Sequence, residues 1–159
     1  NTPYMHYIVS MDVDCSNVPD TPEAKMALQR LGLCGFGRGE AEITPSVVRE
    51  RVCGTCGCLI LKLFNSRSGW MHWHAEITSS IGPMVYASYS GSWSNLDTNG
   101  SGPVSGNSGI ILTGHWSDDK PILTGAGFVY GKIDVATSVT AYGLTCRNVD
   151  VVWNYINIT

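Results

Sequence analysis

Three of the six cysteines stand within residues 52–58, as Cys53, Cys56 and Cys58. Thiols at that spacing fit three chemistries. Cys53-x-x-Cys56, with Gly54 and Gly57 freeing backbone amides to turn towards sulfur, has the spacing of one half of a structural zinc site. Tetrahedral zinc needs four ligands. No second close cysteine pair exists, because Cys15, Cys34 and Cys146 are single, so His72 and His74 would complete the set. A redox Cys-x-x-Cys normally opens a helix whose N-terminus lowers the thiol pKa. Here the cysteines precede "LILKLF", a strand pattern, which argues against redox catalysis. As disulfides, six cysteines allow fifteen connectivities. Cys34 to Cys53 or Cys56, and Cys58 to Cys146, would staple the helical part to the sheet. Zinc, disulfides and reduced packed thiols all stay open on the sequence alone.

A second group lies in "MHWHAE". On a strand, His72, His74 and Glu76 share one face, while Met71, Trp73, Ala75 and Ile77 share the other. His-x-His on a strand presents two imidazoles to one metal, and Glu76 adds a carboxylate. The same alternation describes an ordinary solvated face backed by a core, and that plainer reading is preferred. A nucleophile would be Cys34 or Cys56 with His72 or His115, giving a zinc- or disulfide-stabilised cysteine hydrolase. No Gly-x-Ser-x-Gly elbow accompanies it, and "GFGRGE" lacks the Lys-Ser/Thr ending of a phosphate loop. Asp118 and Asp119 read as a turn, and Asp12 and Asp14 as a strand face; solvation or capping explains both pairs.

The segment 92–109 consists almost wholly of turn-forming residues and reads as a long loop. Trp93, Asn95, Asp97 and Asn99 would supply a stacking ring and hydrogen bonds there, with Trp116 nearby, the chemistry that recognition loops use.

The elements that position these groups follow from periodicity. In "YMHYIVSMDV", Met5, Tyr7, Val9, Met11 and Val13 alternate with His6, Ser10 and Asp12, the mark of a half-buried strand. A helix follows over 20–31, with Asp20 as cap, Pro22 early, Glu23 in the first turn and Gly32 as its end. Ala24, Ala27, Leu28 and Leu31 form its apolar stripe. Thr44 and Pro45 open a second, shorter helix, after the glycine-rich turn "CGFGRGE". From residue 58 onward short strands succeed one another between Gly, Ser and Asn, with "GIILTGHW" and "PILTGAGFVYGKIDV" among them. No helices separate them, so parallel βαβ units are excluded. The expected fold is mainly β: a β-sandwich or jelly-roll-like barrel with one or two short helices in the N-terminal third. One domain over 1–159 is expected, with a strand and helical, turn-rich segment over 1–52 and a continuous antiparallel β region over 53–159.

Composition bounds the function. Lys and Arg total 10 against 13 Asp and Glu, a net charge of −3, and no basic stripe exists for nucleic acid. No apolar run reaches the length of a membrane span. An even cysteine number and the sequons at Asn99 and Asn157 point to an extracellular, surface or virion setting. The chain opens on Asn1 rather than Met and reads as a processed piece of something longer. Five Trp and seven Tyr among neutral polar residues suit a glycan or protein partner. The leading expectation is therefore a non-enzymatic recognition or assembly module without a cofactor. It would be a surface-displayed viral capsid or structural domain, or a secreted lectin-like domain, able to form homo-oligomers. The alternative is a zinc-type metalloprotein built on His72, His74 and Glu76.

Overall fold

The computed structural model describes residues 7–36 and 53–159. The expected second helix beginning at Thr44, the face assignments of Met5 and His6, and the end of the glycine-rich turn lie outside those residues. Among the described residues the elements are β1 (Ile8–Val13), α1 (Pro22–Leu31), β2 (Gly57–Arg67), β3 (Trp70–Thr78), β4 (Met84–Asn95), β5 (Ser101–Asn107), β6 (His115–Leu123), β7 (Gly127–Thr140), β8 (Thr145–Asn148) and β9 (Val152–Ile158). The protein is mainly β, with one short helix among the described residues of its N-terminal third.

All strand pairs are antiparallel, in the order β5-β4-β7-β8-β1-β2-β3-β6, with β9 also on β7. The long strand β7 uses its free edge twice. Its first half, Gly127 to Ile133, pairs with β9, and Thr137 to Val139 pair with β8. β2 is divided in the same way: Gly57 to Ile60 pair with β1, and beyond them β9 lies alongside. There the Asn154 side chain donates to the Leu61 carbonyl at 3.1 Å, and Asn65 donates to the Thr159 hydroxyl at 3.1 Å. The gap between β7 and β2 is thus filled by β8 and β1 at one end and by β9 at the other. The result, among the described residues, is a nearly closed antiparallel barrel-like sheet, with no strand pairing along the seam between β5 and β6 and side-chain bonds rather than a ladder between β2 and β9.

Alternation fills the interior. Met71, Trp73, Ala75 and Ile77 of β3 are fully buried, as are Leu59 and Leu61 of β2, Met11 of β1, and Val129 and Ile133 of β7. Trp73 crosses the interior to lie under Gly131 and Leu63, and a Cβ on Gly131 would stand 3.0 Å from its ring. Its indole Nε1 donates to the Tyr89 hydroxyl at 3.0 Å, and Tyr89 donates to Asp118 at 2.6 Å across the unpaired seam. Burial first, and then the Asp118 carboxylate, raise the Tyr89 pKa, so the phenol stays protonated as that donor.

α1 forms where expected, with one change of cap. Thr21, not Asp20, is the N-cap, its hydroxyl accepting from the Ala24 amide at 3.2 Å. Pro22 then occupies a first-turn position, and Gly32 ends the helix in the left-handed region at φ 69°. Ala24, Ala27 and Leu28 are buried against Leu144, whereas Leu31 faces outward at 42% exposure.

Three expectations change. The segment 92–109 is not a loop: β4 runs to Asn95 and β5 begins at Ser101, a hairpin with a short turn. Its small residues belong there because a neighbour fills their space; the Trp93 ring lies against Gly100 and Gly102. "GIILTGHW" is not a strand before His115 beyond a single bridge from Thr113 to Met84, and Ile110 is 96% exposed. "HWSDDKP" is strand rather than turn, and the chain breaks at Gly125, with φ 81°, between β6 and β7.

All six cysteines are bridged, as Cys15–Cys34, Cys53–Cys58 and Cys56–Cys146. This pairing replaces the expected staples from Cys34 and Cys58. Cys58 and Cys53 close a small ring instead, because Gly54 and Gly57 let the turn press onto neighbours: a Cβ on Gly57 would run into the Thr78 carbonyl. Cys56 points inward to Cys146, both fully buried. Three disulfides fit an oxidising environment.

The disulfides should differ in weight. In the chain-entropy view Cys56–Cys146, separated by 90 residues, contributes about 4–5 kcal/mol, and Cys53–Cys58, separated by 5, about 2 kcal/mol. Cys56→Ala/Cys146→Ala should therefore lower the denaturant midpoint by more than Cys53→Ala/Cys58→Ala. Equal losses would contradict the assignment.

Candidate functional site

β3 and β6 run antiparallel with His74 directly opposite Asp119, Glu76 opposite Ser117 and Thr78 opposite His115. Because Trp73 and Ala75 face the core, His72, His74 and Glu76 must face outward, as the spacing predicts. Asp119 Oδ1 lies 2.7 Å from His72 Nε2 and 2.6 Å from His74 Nδ1. His74 Nε2 lies 2.7 Å from Glu76 Oε2, and Glu76 Oε1 lies 3.2 Å from His115 Nε2. Imidazole and carboxylate alternate along one line: His72, Asp119, His74, Glu76, His115.

Its centre is sheltered and its ends are open. Side-chain exposure is 19% for His74 and 17% for Glu76, against 49% for Asp119 and 55% for His115. Phe64 of β2 meets His72 edge-on at 5.9 Å, and the exposed Lys62 stands opposite His74. Burial alone would lower the His74 pKa, but its bonds to Asp119 and Glu76 outweigh burial and raise it. Burial likewise works to raise the Glu76 pKa, and its bonds from His74 and His115 reverse that and lower it. Bonds from His74 and His72 lower the Asp119 pKa. Each ring nitrogen of His74 thus faces a carboxylate oxygen, Nδ1 that of Asp119 and Nε2 that of Glu76.

His72, His74 and Asp119 each offer a ligand atom, all within 4.8 Å of one another. The expected trio of His72, His74 and Glu76 is thus not the set that converges; Asp119 takes the place of Glu76, which holds the far side of His74. The sequence hid Asp119 because β6 carries Asp118 and Lys120 on its inward side, breaking the apolar alternation that marks a strand. Pro121 was the available signal, since proline in a sheet belongs on an edge strand, as β6 is.

The cysteine alternatives close differently. Cys53, Cys56 and Cys58 are all bridged, so no thiolate remains for zinc, and neither Cys34 nor Cys56 is a free nucleophile for a hydrolase.

Four of the five expected recognition residues, Trp93, Asn95, Asp97 and Trp116, are engaged within the fold. Asn95 is 1% exposed; its amide donates to the carbonyls of Thr124 at 3.0 Å, Gly125 at 3.3 Å and Ala126 at 3.0 Å. Its Oδ1 accepts from the amides of Asp97 and Thr98. Asp97 accepts from the Phe128 amide at 2.9 Å, tying the hairpin turn to β7. Trp93 and Trp116 face inward and pack against the core, Trp116 with its ring 6.1 Å from Tyr89. Asn99 is exposed at φ 69°, and Asn157 is exposed on β9, so both sequons lie at the surface. No described helix is long and apolar enough to cross a membrane.

What the sequence missed is on the outer face of β7 and β9. Phe128 and Tyr155 rings lie 5.0 Å apart, Tyr155 and Trp153 stack at 5.9 Å, and Trp153 meets Tyr130 at 6.0 Å. Beside this ridge, on β4 and β5, the outward residues are Ser94 opposite Ser101, Ser92 opposite Pro103, and Ser90 opposite Ser105. The alternation of Val129, Gly131 and Ile133 could have revealed the ridge, because it forces Phe128 and Tyr130 outward.

Two outcomes test these placements. Asn95→Ala should cost about 1–3 kcal/mol in stability, because the buried Thr124 carbonyl and the part-buried carbonyls of Gly125 and Ala126 lose their donor; a loss under about 0.5 kcal/mol would contradict it. The second concerns pH, in buffer with a chelator. The contribution of His74, its pKa raised from the ordinary 6.5, is complete below 6.5 and lost as pH rises through the raised value. Those of Glu76 and Asp119, lowered from 4.5 and 3.8, hold above those values and vanish as pH falls through the lowered ones. The melting temperature should therefore be highest between about pH 4.5 and 6.5, and His74→Gln should remove the decline on the alkaline side. A wild-type profile identical to that of His74→Gln would refute it. No family model, curated protein or solved structure matches the chain.

Proposed function

We propose that this domain is a non-enzymatic recognition module that binds neutral glycan through the outer face of β9, β7, β4 and β5. The observation that carries this reading is the ridge of Phe128, Tyr155, Trp153 and Tyr130, four rings each in contact with the next on the side of the sheet away from the core. Aromatic rings normally earn their place by burial in the interior. Rings clustered on an outer face suit a ligand with flat C–H surfaces, and pyranose rings have them.

The strip beside the ridge supports the same ligand. Ser90, Ser92, Ser94, Ser101 and Ser105 present short hydroxyls on a pair of adjacent strands. Each hydroxyl both donates and accepts, which matches the neutral hydroxyls of a sugar better than a charged partner. Lys132 and Asp134 are paired to each other at 3.1 Å, so the face carries little net charge. Such a module suits a secreted lectin-like domain or a surface-displayed capsid or structural domain, in keeping with three disulfides and two exposed sequons.

A glycan array followed by calorimetry on the best binder tests this. Tyr155→Ala and Phe128→Ala should each weaken binding by about tenfold or more, the scale of one lost stacking contact, while Trp93→Ala should weaken it only to the extent that it unfolds the protein. Absence of glycan binding by the wild type, or unchanged binding by both variants, would overturn the reading. Were light scattering then to show an oligomer that Tyr155→Ala dissociates, the face would be a self-assembly surface instead.

A further inference from the structure

We infer that the β3–β6 face holds a zinc-class divalent metal ion, with His72 Nε2, His74 Nδ1 and Asp119 as its protein ligands and Glu76 as the group that orients His74. The site is separate from the aromatic ridge and does not depend on it.

Convergence comes first. His72 and His74 are two residues apart on one strand, and the cross-strand partner of His74 is Asp119. Both ring nitrogens point at the same carboxylate oxygen, at 2.7 and 2.6 Å. Ligands around a tetrahedral zinc ion stand about 3.3 Å apart, given metal–ligand bonds near 2.0–2.1 Å. Asp119 Oδ1 therefore needs to draw back from each imidazole by only about 0.6–0.7 Å to admit the ion, and the ligand atoms already lie within 4.8 Å of one another. Asp119 has room to do so, because β6 is the edge of the sheet and the carboxylate is half exposed.

The second observation is independent of the first. Histidines that bind metal through one nitrogen almost always give the other N–H to a carboxylate or carbonyl, which fixes the ring and its tautomer. His74 does this: Nδ1 faces the ligand cluster and Nε2 meets Glu76 at 2.7 Å, with both residues more than four-fifths buried. Glu76 is itself held through its other oxygen by His115 at 3.2 Å. A solvated strand face would not need a carboxylate clamped on both sides behind a histidine. The ligand set of two imidazoles and one carboxylate, without thiolate, favours zinc or cobalt over soft copper(I). Three protein ligands leave a fourth position for water.

The ion would bind two strands at once, His72 and His74 from β3 and Asp119 from β6. Its effect on the fold is to clamp the edge strand next to the unpaired seam.

The experiment uses the full oxidised chain, stripped with chelator and titrated with Co²⁺ alone and then with Zn²⁺. The expected result is a visible ligand-field band of tetrahedral or five-coordinate Co²⁺ at one equivalent, without an intense thiolate charge-transfer band, displaced by Zn²⁺. His72→Ala/His74→Ala and Asp119→Asn should abolish the band. Glu76→Gln should retain it with affinity reduced about 10–100-fold, and His115→Ala, which removes one of the two groups holding Glu76, should retain it with a smaller loss than Glu76→Gln. Lack of stoichiometric binding by the wild type would overturn the inference, as would a band that survives in the double histidine variant. A thiolate band would overturn it too, by showing the metal held by cysteines released from their bridges. Circular dichroism of each variant separates loss of the site from loss of the fold.

Discussion

The burial of Trp73 is the constraint on which the rest of this structure depends. A strand gives successive side chains to opposite sides, so fixing one residue fixes its neighbours. Trp73 fills the barrel beneath Gly131 and Leu63, and its N–H is taken up by Tyr89, which in turn reaches Asp118. That chain joins β3, β4 and β6 through the interior, beside a seam that backbone pairing leaves open. With Trp73 held inside, His72 and His74 stand outside, next to Asp119. A one-residue slip of β3 would bury two histidines and a glutamate and expose the largest side chain of the core.

The same rule explains the aromatic ridge. Gly131 must be small because the Trp73 ring occupies its space, and it lies inward with Val129 and Ile133. Phe128, Tyr130 and Lys132 are then outward by alternation, and β9 answers with Trp153 and Tyr155. Both candidate surfaces are thus consequences of one inward register, on opposite branches of a single sheet. They differ in chemistry: one offers nitrogen and oxygen ligands at a strand edge, the other flat rings beside short hydroxyls.

Much of this was legible in the sequence where burial is one-sided. The β3 alternation in "WMHWHAEI" placed His72, His74 and Glu76 together, and Val9 with Met11 placed β1. The helix was readable from Pro22, Gly32 and the alanine stripe, although the cap shifted to Thr21 because its side chain reaches the Ala24 amide. What failed had a common cause: the information lay on another strand. Ser92 to Asn107 contains little but turn-forming residues, yet it forms a hairpin, because β7 supplies the partner of β4 and Trp93 covers the glycines of β5. Asn95 looked like a recognition residue and is instead the buried donor to three carbonyls. β6 was hidden because Asp118 and Lys120 point inward at the seam, where Tyr89 and each other satisfy them. The cysteine cluster stands at the start of β2, and its pairing, Cys53 with Cys58 and Cys56 with Cys146, is one that no spacing reveals.

The central claim is that recognition takes place on the outward aromatic face and not on the hairpin turn. Residue-resolved NMR during titration with an oligosaccharide tests it most directly, using aromatic and backbone signals together. The account predicts saturable shifts at Phe128, Tyr130 and Tyr155 and at the serines of β4 and β5, with Trp73 unmoved. Shifts confined to Leu96–Gly100, or none at any concentration, would contradict it.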